Sequence, residues 1–116
     1  VWGRGMVDHS PDNRPLEAMP ATPGNGVWRL GLGHGIYVEP GHDTLHSSPI
    51  HAEQIEAAPF DYLALGHHHG AMDVSPTGSL ALYSGAPTPV VDDRGTYVVV
   101  DLNDEQGSVA QIKELR

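Results

Sequence analysis

The sequence predicts a mixed α+β fold made mostly of β-strands, with one short helix. Three observations carry that expectation. Apolar runs are short and separated by turn residues, with 14 glycines and 10 prolines in 116 residues, a pattern of brief strands and frequent connections. A single segment, residues 49–58 (PIHAEQIEAA), combines helical composition with start and stop signals. The runs FDYLALG, SLALYS and GTYVVVDLN read as strands.

Taken in order, residues 1–7 (VWGRGMV) form a short strand interrupted by glycine. Residues 8–26 are turn-rich, with room for one helical turn around Leu16–Met19. Residues 27–33 (VWRLGLG) form a short strand of mixed phase, as expected of one buried on both faces. A long loop follows His34 and Gly35. Ser48 is the expected N-cap of the helix, Pro49 its first residue, and Pro59 its stop. FDYLALG (60–66) is the clearest buried strand. AMDVS and SLALYS make a hairpin across PTG, and GAPTP leaves the sheet as an irregular loop. GTYVVVDLN pairs antiparallel with SVAQIKEL across DEQG. No internal repeat interrupts this order, which amounts to one domain or part of one.

The formal charge of −9 argues against a simple nucleic-acid-binding module, because phosphate binding is driven by Lys and Arg. It leaves a nuclease open, because bound divalent cations change the local field. With no cysteine, disulfides and thiolate zinc sites are excluded. No apolar run approaches a membrane span, and no charged-then-apolar leader opens the chain. We therefore expect a cytoplasmic protein with no membrane partner.

The eight histidines are the unusual feature. In ALGHHHG (64–70) an apolar strand ends at Gly66, which allows a sharp turn. In an extended segment His67 and His69 point to one side and His68 to the other. His34 ends a second strand in LGHG. If the two strands share a sheet, their C-terminal ends meet at one edge, where sites in open α/β sheets collect. Imidazole suits Mn, Fe and Zn. His34, His67 and His69 are therefore the candidate metal ligands. His9, His42, His46 and His51 lie in turns or at a helix start and read as solvated or capping residues. Asp61 reads as a turn or capping residue rather than an acid catalyst.

FDYLALGHHH followed by LALYSGAP resembles the C-terminal half of the calcineurin-like metallophosphoesterases, with the nearest likeness to the DNA repair exonuclease branch, the SbcD-like nucleases. The likeness spans roughly residues 27–102. It implies a four-layer αββα sandwich and a binuclear centre of two divalent ions (Mn, Fe or Zn). It also implies phosphoester substrates, including DNA in the exonuclease branch. Carried over by position, His34 and His67 would bind one metal and His69 the other, with His68 at the variable position. The family's D-x-H, G-D-x-x-D and G-N-H-[DE] motifs do not occur in these 116 residues. Asp8-His9 lacks the first spacing, and PGNGVW lacks the His and acid of the third. We therefore expect residues 1–116 to be the C-terminal part of a single domain whose N-terminal half is its necessary partner. The isolated piece should be inactive. The other reading is a non-enzymatic, β-rich module in which the histidines hold an ion or mediate an interaction.

Overall fold

Strands rich in Leu and Ala and free of charge are at home where both faces are covered. The computed structural model, which describes residues 1–21, 26–89 and 94–115, places such a strand at the centre of its main sheet. In chain order the elements are β1 (Trp2–Gly3), β2 (Leu30–His34), β3 (Ile36–Val38), β4 (Pro49–His51), α1 (Ala52–Ala57), β5 (Tyr62–Gly66), β6 (Met72–Asp73), β7 (Ala81–Tyr83), β8 (Gly95–Asn103) and β9 (Gly107–Leu115). The chain is thus sheet-rich with one short helix among the described residues, as the fold class anticipates at that level.

Five strands form one sheet in the order β1-β2-β5-β7-β6. β1, β2, β5 and β7 run parallel, and β6 closes one edge antiparallel to β7. β2 and β5 pair along their full length, from Leu30 opposite Tyr62 to His34 opposite Gly66. Both strands therefore end at the same edge. Their starts are tied together as well: the Asp61 carboxylate accepts the Arg29 backbone N–H at 2.7 Å. Asp61 is a connecting residue at the sheet end away from the histidines.

The core gathers Leu63 and Leu65 from β5, Ala81 and Tyr83 from β7, Ile50 from β4, Ile55 from α1 and Leu16 from the turn-rich N-terminal segment. Each large apolar side chain buried this way is worth roughly 1.5–3 kcal/mol of transfer free energy. These contacts explain two departures from the sequence reading. The helix begins at Ala52 rather than Pro49. Pro49, Ile50 and His51 instead form β4, parallel to the three residues of β3 inside what reads as a loop. Pro49 contributes no N–H, which an edge strand tolerates, and Ile50 is fully buried, which a strand in this register achieves. The N-cap role passes to His51, whose backbone N–H is accepted by Gln54 Oε1 at 3.0 Å. Ser48 is buried at φ 58° and takes the Asn13 amide on its hydroxyl.

The remaining strands fall near their expected places, several of them shorter, while β8 has the expected bounds and β9 starts one residue early. β1 covers two residues rather than seven, and β5 begins at Tyr62 rather than Phe60. The segment around Leu16–Met19 makes a turn, not a helix, and buries Leu16. β8 and β9 pair over nine positions, from Gly95 opposite Leu115 to Asn103 opposite Gly107.

Candidate metal centre

His34 is the last residue of β2, and the β5 residue beside it is Gly66. A Cβ at Gly66 would lie 3.1 Å from His34 Nδ1. Glycine therefore keeps space beside a nitrogen that a metal could use. The next peptide is pinned across the same edge, where the Gly35 N–H donates to the Gly66 carbonyl at 3.0 Å.

Past Gly66 the chain reverses at His67, whose φ is 127°. Side-chain-bearing residues avoid that region, and holding one there costs on the order of 1–3 kcal/mol. The turn is anchored beyond His67 too, because the Ala86 N–H donates to the His69 carbonyl at 2.9 Å. Local sequence alone would favour glycine at position 67, so the surrounding contacts impose the conformation.

The result brings His34 and His67 together. Their ring centroids are 5.6 Å apart with perpendicular planes. Two imidazoles on one ion, with metal–nitrogen bonds of about 2.1 Å, hold their centroids about 5 Å apart at tetrahedral angles. The observed spacing is close to that value, and it is equally that of an ordinary edge-to-face ring contact. His69 is exposed, like His34 and His67, while His68 is half-buried. The alternation expected of the triplet is present in exposure, even though the backbone at His67 is not regular strand. His69 is near enough for its charge to act on His67, but among the described residues no three His, Asp or Glu side chains converge on one point.

The electrostatics favour a neutral ring at His67. Partial desolvation, followed by the charges of His68, His34 and His69, pulls the His67 pKa below its ordinary value of 6.5. A neutral imidazole is the form that binds metal.

Sequence reasoning left two residues of this region without a role. His68 turns inward and meets Tyr83 edge-on, with centroids 4.5 Å apart. Tyr83 is completely buried, and its hydroxyl donates to the Gly35 carbonyl at 2.8 Å. Burial pushes the Tyr83 phenol well above its ordinary range, so it stays protonated and remains a donor. The aromatic residue within ALYSGAP was the available signal, but its partner lies 48 residues away. His9, His42 and His46 are exposed on turns, and His51 caps α1. A cleft lined by Arg29, Phe60, Asp61 and Ser108 opens at the opposite end of the sheet, with Arg29 already beside Asp61. It does not touch the histidines.

No family model, no curated protein and no solved structure matches this chain.

Proposed function

We propose that residues 1–116 are the C-terminal part of a metal-dependent phosphoesterase domain of the calcineurin-like type, one side of an αββα sandwich. The observation that carries this reading is the His34–His67 pair, built at the shared end of two parallel strands with 5.6 Å between ring centroids. The G-H-x-H pattern and the downstream YSGAP support it.

In this reading His34 and His67 hold one ion and His69 donates to the second. Two divalent ions, commonly Mn, Fe or Zn, would supply hydroxide near neutral pH and stabilise charge on the phosphoryl oxygens. The chain's own contribution is to present imidazoles in fixed places, with His67 favoured in its neutral form. The strained His67 backbone and the space at Gly66 serve that end. Among the described residues no carboxylate joins the three histidines. Dications about 3.5–4 Å apart repel strongly unless negative ligands offset them. In this reading the aspartates and asparagine of a complete centre are those of the family's D-x-H, G-D-x-x-D and G-N-H-[DE] motifs, which do not occur in these residues. Phosphoesters are the substrate class, and the acidic charge leans toward small phosphoesters over DNA.

Calorimetric titration of this chain with Mn²⁺ or Zn²⁺ tests the reading. One weakly held ion is expected, lost in His34→Ala and in His67→Ala. Two tightly held ions, or turnover of a chromogenic phosphodiester by this chain alone, would overturn the half-site. A single ion unaffected by either substitution would favour the non-enzymatic histidine module.

A further inference from the structure

We infer that His68 and Tyr83 are positioning residues that hold the His34–His67 pair together. The inference deepens the reading above, and its metal readout rests on that reading. Its backbone readout does not.

The argument starts from the strain at His67. A side-chain-bearing residue at φ 127° persists only where its surroundings fix it. Two backbone hydrogen bonds fix the ends of the turn, from Gly35 N–H to Gly66 and from Ala86 N–H to His69. Neither touches the residue between His67 and His69. That residue, His68, is held by its ring, which stands edge-on to His67 at 5.5 Å and edge-on to Tyr83 at 4.5 Å between centroids. Tyr83 in turn reaches the other loop, because its hydroxyl is bonded to the carbonyl of Gly35, next to His34.

The contacts therefore close on themselves. His34 faces His67, His67 meets His68, His68 packs on Tyr83, and Tyr83 is bonded back to the residue after His34. One buried tyrosine ties both ligand-bearing segments to the core, the first through its hydroxyl and the second through its ring. Tyr83 has no freedom to move with either segment, since it is enclosed in the core cluster.

His68 Nε2 is buried and has no hydrogen-bond partner among the described residues. An unpaired buried nitrogen is a cost, not a gain. The ring itself is then what His68 contributes, and a phenyl ring should replace it. His68→Phe is accordingly the restoring variant and His68→Ala the disruptive one. Tyr83→Phe is a third, removing the hydroxyl while keeping the ring that His68 packs on.

Two measurements on this chain decide the matter. Amide hydrogen exchange by mass spectrometry reads the peptides containing Gly35 and Ala86 without any metal. His68→Ala should speed exchange at both, Tyr83→Phe at Gly35, and His68→Phe at neither, with β8 and β9 unchanged in all three. Co²⁺ titration followed by absorbance reads the pair as ligands. Support groups behind metal ligands typically carry about 10–100-fold in affinity, so His68→Ala and Tyr83→Phe should each bind Co²⁺ at least about tenfold more weakly. His68→Phe should bind as the unsubstituted chain does. Uniform exchange changes across the whole chain, or failure of His68→Phe to restore either readout, would overturn the positioning role. If the unsubstituted chain binds no Co²⁺, the phosphoesterase reading falls, and the exchange pattern alone still decides whether His68 and Tyr83 brace the edge.

Discussion

The histidine edge of the main sheet and the β8–β9 hairpin are both made of paired strands, but different forces hold them. In β5 and β7 the backbone pairs are backed by burial: Leu63 is 2% exposed, Leu65 3% and Tyr83 0%. In the hairpin the pairing is longer, nine positions, yet Tyr97 is 40% exposed, Ile112 42% and Leu115 45%. Polar contacts tie the hairpin to the rest, among them Thr96 Oγ1 to the Ser84 carbonyl and Ser108 Oγ to the Asp61 carbonyl. Two-stranded ribbons are marginal without a packed face. A strained residue such as His67 can therefore be kept only beside the buried sheet, where neighbouring contacts offset its cost.

The comparison is broken most severely by emptying one side of it. Leu65→Ala removes a core side chain, and such changes cost about 2–5 kcal/mol. Val99→Ala in β8 removes a side chain that is already 39% exposed, and it should cost under about 1 kcal/mol. Urea titrations of the two variants check this. Equal losses would mean that the hairpin is as deeply covered in solution as the sheet.

How much of this was legible in the sequence follows the same division. The hairpin was read almost to the residue, because alternation and the DEQG turn are local signals. The edge that joins His34 to His67 was also readable, since Gly-His after an apolar run marks a strand end in both places. β3 and β4 were not, because each has only three residues and is defined by the other. Ser48-Pro49 mimics a helix start, and only the demand for Ile50 in the core says otherwise. Strand alternation separated His68 from its neighbours. That it would meet Tyr83 depends on β5 and β7 lying side by side, a tertiary fact with no local trace.

His67→Gly sharpens the contrast between stability and site. Glycine enters the φ 127° region freely, which relieves roughly 1–3 kcal/mol of strain. Its greater freedom in the unfolded chain returns roughly 0.5–1 kcal/mol of that gain. The net expectation is a protein about 1 kcal/mol more stable that lacks the divalent-ion binding proposed for the His34–His67 pair. Chemical denaturation beside metal titration reads both. A less stable His67→Gly protein would show that the His67 ring contributes more than its backbone costs.

The smallest effect is one of pH, and it should arise at the histidine edge rather than in the hairpin, since β8 and β9 contain no histidine. Folding lowers the His67 pKa, through desolvation first and neighbouring histidine charges second. Between that lowered value and the ordinary 6.5, the unfolded chain binds the proton more readily than the folded one. Stability then rises with pH across the window. The penalty is complete below the lowered pKa, where both states carry the proton, and it is gone above 6.5, where neither does. Because His67 is exposed, solvent screens the effect and it should be slight. Melting temperatures across this range should fall modestly on acidification, and His67→Gln should flatten the trend. Hydrogen exchange in β8 and β9 should not follow the same curve unless the whole chain opens as one unit. A matching pH dependence there would show that the hairpin and the histidine edge unfold together, despite the difference in what holds them.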